Sequence, residues 1–204
     1  MKRRVLLIGC SGTVGAAVLA ALNERGHDVT CADYESVDLK IDITDTSSIA
    51  EVYRTVGKVD AVMCTVGEVP IKKISEFAKA DVEKAVPGKL ISQIDIVLQG
   101  LKHVRAGGSF TLVSGVMSRM PWLGGIGASI ANGGIDAFVL GAAAEIGKDR
   151  RINSVSPTIL IESVRKLGAN LLPGHKPIAA ADVADAYIRS LEGIETGKTF
   201  VVGY

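Results

Sequence analysis

Gly9, Gly12 and Gly15 stand at three-residue spacing directly behind an apolar run, Val5-Leu6-Leu7-Ile8. Glycine lets a chain turn sharply and lie close to a bound molecule, because no Cβ intervenes. From Ala16 to Arg25, with Val14 just ahead, the apolar residues Val14, Val18, Ala21 and Leu22 recur at helical spacing and stop at Gly26, so the loop opens a helix. The unpaired N–H groups and positive dipole end of that helix attract an anion such as a pyrophosphate. A second strand, Asp28 to Ala32, ends on Asp33, about the distance at which a nucleotide fold sets an acid against the adenosine ribose. The glycines alone are equally consistent with a tight structural turn. Asp33 at that spacing favours a dinucleotide.

These groups need a scaffold, and the chain supplies alternating strands and helices. Beyond the first two strands come Asp38 to Ile41, a helix from Thr46 to Val56, the strand Val59 to Thr65, and a long helical stretch from Ser75 to Val104. Phe110 to Ser114 reads as a strand, Gly127 to Ile146 as a helix, Ile152 to Val155 as a strand, Ala181 to Leu191 as a helix and Thr199 to Val202 as the last strand. This alternation predicts a single α/β domain over residues 1–204, a doubly wound, Rossmann-type parallel sheet between two helical layers. Only Tyr34 to Val37 separate the second strand from the Asp38 segment, too few residues for a parallel crossover. That segment is expected to be an extended connection or a poorly formed edge strand, beside six sound ones.

The chain has 204 residues, 48% of them hydrophobic, which suits one substantial core and excludes disorder. Its 23 basic and 22 acidic residues are spread evenly, giving +1, so neither nucleic acid nor an anionic membrane is an expected partner. The apolar run after Lys2, Arg3 and Arg4 ends at Ile8, too short for a signal core or a span, and a cytoplasmic location is expected. Cys10, Cys31 and Cys64 show no metal-ligand spacing and read as reduced, packed thiols, with no metal site. Cys10 and Cys64 both fall at strand ends, which leaves a thiol near the ligand as the lesser alternative.

Two apolar stripes, Leu90 to Leu101 and Ile135 to Ile146, read chiefly as core. In the later helix Gly133, Gly134, Ala137, Gly141 and Ala144 lie off the stripe and would admit the close approach of a second subunit. The expected assembly is a homodimer or homotetramer.

The glycine loop, Asp33, the Asp42-Ile43 pair, Val59-Asp60-Ala61-Val62, Asn153-Ser154-Val155-Ser156-Pro157 and Gly197-Lys198-Thr199-Phe200 together resemble the short-chain dehydrogenase/reductase superfamily. The likeness covers nearly the whole chain and is greatest to a compact subgroup of about this length. It implies that Ser11, Gly12, Thr13 and Val14 touch the pyrophosphate and that Asp42 and Ile43 meet the adenine. A helix cap near Thr44 and Asp45 is the other reading of Asp42. Cys64-Thr65-Val66-Gly67 stands where the family has Asn-Asn-Ala-Gly under the cofactor, and Pro157 and Ile159 where it closes over the nicotinamide. Asp33 within about 4 Å of a 2′-phosphate would repel it by roughly 4 kcal/mol at an effective dielectric near 20. Tyr34 to Val37 offer no cation to offset this, so NAD is favoured over NADP, with Arg3, Arg4 or Lys40 as groups able to fold back and admit NADP.

The family's chemistry uses a Ser, a Tyr and a Lys, the last two four residues apart on a helix. Here the corresponding positions hold Ala128 and Asn132. Ser114 stands at the substrate-polarising serine, or Gly115 does in a second register. Ser114, Ser129, Ser118, Asn132 or water are then the available stand-ins for the acid. Hydride transfer belongs to the cofactor, and a positioned acid adds roughly 10²- to 10⁴-fold, so loss of the tyrosine slows such an enzyme without excluding it. His27, His103 and His175 have no partner in sequence and receive no role. Met117, Met120, Trp122 and Leu123 form either a substrate wall or ordinary core, and Ile159 to Lys176 a lid. Two functions follow: an NAD(P)-dependent oxidoreductase acting on a small, largely apolar carbonyl or alcohol with a non-standard proton donor, or a catalytically silent nucleotide-binding redox sensor or interaction module.

Overall fold

Strand β1 (Arg4–Ile8) is apolar on both faces because helices cover both, and Val5 through Ile8 are each at most 1% exposed. It lies in a seven-stranded parallel sheet of order β3-β2-β1-β4-β5-β6-β7. The other strands are β2 (Asp28–Asp33), β3 (Leu39–Lys40), β4 (Val59–Cys64), β5 (Val104–Val113), β6 (Arg151–Pro157) and β7 (Thr199–Val202). The computed structural model describes residues 1–35, 38–147, 149–167 and 175–204.

Helices α1 (Thr13–Glu24) and α7 (Ala180–Glu192) cover one face, where Val18, Leu22, Val183, Tyr187 and Leu191 meet alternate residues of β1 and β4. On the other face, α2 (Thr46–Val56), α4 (Ser92–Gly100) and α5 (Ile126–Glu145) bury Ile49, Val52, Ile96, Val97, Ile135 and Val139. Two short helices, α3 (Lys79–Ala85) and α6 (Ile161–Leu167), complete the set. The chain winds outward from β1 through β2 to β3, then returns to β4 on the other side of β1. That reversal opens a crevice at the carboxyl ends of β1 and β4, where folds of this topology hold ligands.

The expected edge strand is present but minimal, pairing only Ala32 with Leu39 and Asp33 with Lys40. The expected helix from Ser75 to Val104 is instead four pieces: a 3₁₀ turn at Ile74–Glu76, α3, a π turn at Val86–Ile91, and α4. Asp81 starts α3 by accepting the Ala78 N–H at 2.9 Å. Pro87 lacks an N–H and cannot continue the α-helical ladder, and the helix widens there into the π turn. Val104 proves to open β5, which is longer than the expected Phe110 to Ser114. Its first half, Arg105-Ala106-Gly107, is exposed and carries no alternation that would mark a strand.

Candidate active site

At the carboxyl end of β1, Gly9 turns with φ +92° and donates its N–H to the Ala32 carbonyl at 2.9 Å. A Cβ on Gly9 would strike Val66, and one on Gly15 would strike the Gly9 carbonyl, so chain packs on chain at both positions. Gly12 differs. Its φ of −69° suits any residue, and a Cβ there would meet only the Gly9 carbonyl, at 3.6 Å. Gly12 caps α1 without a side-chain hydrogen bond, and no acid stands in the first turn. The helix therefore presents bare N–H groups over a hollow that a methyl group would fill, the setting a pyrophosphate requires. Ser11, Thr13 and Val14 border that hollow in sequence, and the residues fit the coenzyme's phosphates.

Asp33 braces the loop. Its Oδ2 accepts the Ser11 N–H at 2.8 Å and the Ser11 hydroxyl at 2.7 Å, and its Oδ1 accepts the Tyr34 N–H at 2.7 Å. Burial alone would raise its pKa, but these donors outweigh it and hold the carboxylate below its ordinary value. Of the three cations able to fold back, Lys40 alone comes near, its Nζ 5.6 Å from the Tyr34 ring centroid. Arg3 and Arg4 stand at the opposite end of the sheet, where their backbone N–H groups donate to His27 Nδ1 and Asp60 and the Arg4 guanidinium pairs with Asp28.

A cavity of about 1030 Å³ runs from Gly9 past Asp33, Asp42 and Ile43 to Val66 and Gly67. Asp42 is no helix cap: its Oδ1 accepts the Thr44 hydroxyl at 2.7 Å and N–H at 2.9 Å, while Asp45 caps α2 through the Ser47 N–H. The Thr44 hydroxyl, then its N–H, hold the Asp42 carboxyl below the usual range. Thr65 fastens β4 to the loop by donating to the carbonyls of Ile8 at 3.1 Å and Gly9 at 2.9 Å. Cys64 is fully buried, and burial pushes its thiol up to about 11, so it packs rather than reacts.

Beside this cleft lies a smaller cavity of about 210 Å³, with Val69 in the wall of both. Ser114, Ala128, Asn132, Pro157 and Ile159 all line it, as do Met117 and Trp122. Ser114 is 3% exposed and Thr158 4%, yet neither hydroxyl has a hydrogen-bond partner among the described residues. Ser129 and Ser118 are not in the wall; the Ser118 hydroxyl turns back to the Gly115 carbonyl at 3.1 Å. Met120 and Leu123 are likewise outside it, and Leu123 faces solvent.

Sequence reasoning passed over Lys89. Its Nζ donates to Asn132 Oδ1 at 2.7 Å and to the Ser114 carbonyl at 3.0 Å, and burial lowers its pKa to about 8. The π turn carries Lys89 inward, and Gly67, at φ +149°, makes way for it: a Cβ there would overlap the lysine stem. Pro87-Gly88 was the one local sign that the helix breaks beside it. Asn132 thus accepts where the family's lysine would donate.

The histidines lie away from both cavities. His27 contacts Glu192 at 3.2 Å, and His103 stacks on Tyr53 with ring centroids 5.0 Å apart. His175 lines neither cavity. Of the expected lid, α6 and a bridge between Leu160 and Ile178 are present, while residues 168–174 lie outside the described residues. Among the described residues no cluster of three metal ligands occurs.

The family model described as enoyl-(acyl carrier protein) reductase matches residues 12–190. The crystal structure of the protein lin1944 from Listeria innocua is similar at 39% identity and TM-score 0.93, over 97% of this chain and 98% of that one. A small-chain dehydrogenase in complex with NADPH shares the fold at 24% identity and TM-score 0.87, over 99% and 97%. So does a short-chain dehydrogenase/reductase from Serratia marcescens at 17% identity and TM-score 0.85, over 98% and 96%. No curated protein matches.

Proposed function

The chain belongs to the short-chain dehydrogenase/reductase family of oxidoreductases, and on that premise we propose that it interconverts a small, largely apolar carbonyl compound and its alcohol. One observation carries the reading: an uncapped helix start with open space at Gly12 stands at the same end of the parallel sheet as a cavity holding the unpartnered Ser114 hydroxyl. Bound there, a nicotinamide coenzyme supplies or accepts the hydride. Thr13, Val14 and Gly15 offer N–H groups to its phosphates, Asp33 lies toward the ribose, Asp42 and Ile43 border the adenine, and Pro157 and Ile159 wall the nicotinamide end. Ser114 orients the substrate oxygen, and about 210 Å³ between Met117 and Trp122 sets its size.

The Asp33 carboxylate favours NAD. A relative holds NADPH, and Lys40 beside Tyr34 is the group that would admit the extra phosphate here. A silent redox sensor is the second reading, favoured by Ala128 and Asn132 where the family has Tyr and Lys. Calorimetry with NADH and NADPH, followed by a panel of small carbonyls monitored through NADH absorbance, separates the two. Turnover reduced at least about tenfold in Ser114→Ala is expected. Coenzyme binding without oxidation across the panel favours the sensor.

The protein pairs through α4 and α5, or assembles into a tetramer from such pairs. Leu98, Ile130 and Leu140 are exposed on these helices, and nothing lies within 4 Å of a Cβ built on Gly133 or Gly141. Gly134 does not belong to that surface, because Leu90 of the same chain packs on it.

A further inference from the structure

We propose that Lys89 donates the proton to the substrate's oxygen, with the Ser114 hydroxyl as a second donor to the same atom. This rests on the oxidoreductase reading above and names the acid that reading lacks. An ammonium has three N–H bonds. Two are used, on Asn132 Oδ1 at 2.7 Å and the Ser114 carbonyl at 3.0 Å, and the third has no acceptor among the described residues. Lys89 lines the same cavity as the unpartnered hydroxyls of Ser114 and Thr158.

Both acceptors of the ammonium are neutral, and no carboxylate forms an ion pair with it among the described residues. A buried cation without a counter-charge is unfavourable, and an oxygen gaining negative charge would relieve it. The surrounding groups leave that role open. From β4, Cys64 faces Lys89 with a thiol held neutral by burial. From α5, Asp136 acts at a distance and is paired with Arg119 at 3.0 Å. The π turn itself, Val86-Pro87-Gly88-Lys89-Leu90-Ile91, carries no other charge. Ala128, small at the tyrosine position, lines the same cavity.

In reduction, the carbonyl carbon takes a hydride from reduced nicotinamide and its π pair moves onto oxygen. One N–H bond of Lys89 breaks, the O–H bond of the alcohol forms, and the neutral amine recovers a proton from water. Oxidation reverses the proton: the neutral amine takes it from the hydroxyl. A group titrating at about 8 is poised for either direction near neutrality.

Trp122, the single tryptophan, lines the cavity and reports on it. Butyrate, a small apolar carboxylate, is titrated into the coenzyme-free protein with Trp122 fluorescence as readout. Expected is saturable binding that weakens about tenfold between roughly pH 7 and 9, as the amine loses its charge. Lys89→Met should weaken it by about tenfold or more at the lower pH, keep NADH affinity within about twofold by calorimetry, and cut reductive turnover roughly 100-fold. Butyrate affinity unchanged by pH in the wild-type protein, or unchanged in Lys89→Met, overturns the proposal. Should Lys89→Met fail to fold, the wild-type pH series and Lys89→Gln decide it. Absent NADH binding with an intact butyrate response overturns the coenzyme reading alone.

Discussion

The two cavities share a wall and differ in what builds them. The cradle at Gly9 to Gly15 is made of backbone: a turn, a helix start and carbonyls that exclude side chains. The neighbouring cavity is made largely of side chains from several separate segments, among them Lys89 from the π turn, Ser114 just past β5, Asn132 from α5 and Pro157 at the end of β6. Backbone devices announce themselves locally through glycine. Side-chain constellations exist only once distant elements have packed.

The largest expected effect probes the cradle. Gly15→Ala should cost roughly 3 kcal/mol of stability, because its Cβ is driven into the Gly9 carbonyl, and should abolish coenzyme binding. Gly12→Ala should leave the melting temperature within a degree or two while weakening coenzyme at least about tenfold, since its Cβ enters only the hollow. Equal loss of stability in both variants would break the distinction between a packed glycine and a ligand-facing one.

The second probe concerns the charge in the other cavity. Lys89 titrates at about 8 when folded against an ordinary 10.5, so the unfolded chain binds the extra proton between those values. Stability should therefore rise with pH across that window, by roughly 3 kcal/mol in total for this group, with the full penalty present below it. Denaturant unfolding of wild type against Lys89→Met, as a function of pH, reads the difference in slope. The smallest effect on the fold is expected of Leu140→Glu, at a side chain 68% exposed. It should leave unfolding within about 0.5 kcal/mol while shifting the mass measured by light scattering to that of a monomer.

The parallel α/β sheet, the glycine loop and Asp33 were legible because each rests on short-range pattern: apolar runs, alternation, and glycine where no side chain fits. β5 was half missed, since Arg105-Ala106-Gly107 falls in the register shift between Val104 and Ser109, outside the pairing with β4, and shows no period of its own. Lys89 directly precedes the apolar stripe Leu90 to Leu101, where a lysine is most simply taken as a solvent-facing residue. Its burial comes from Gly67, Ser114 and Asn132, none closer than 22 residues along the chain. Asn132 and Ser114 were found through the family's spacing, but their joint hold on an ammonium was not, because that bond crosses from one helix to another.

Gly67 forms part of the larger cavity, and the stem of Lys89 passes directly over it. Gly88 opens on the same side, while its immediate neighbour opens on the other. A molecule pressing on this stretch leans on the amine. Thermodynamic reciprocity then ties the two events: whatever factor coenzyme occupancy applies to the amine's hold on its proton, acidity applies in return to the grip on coenzyme.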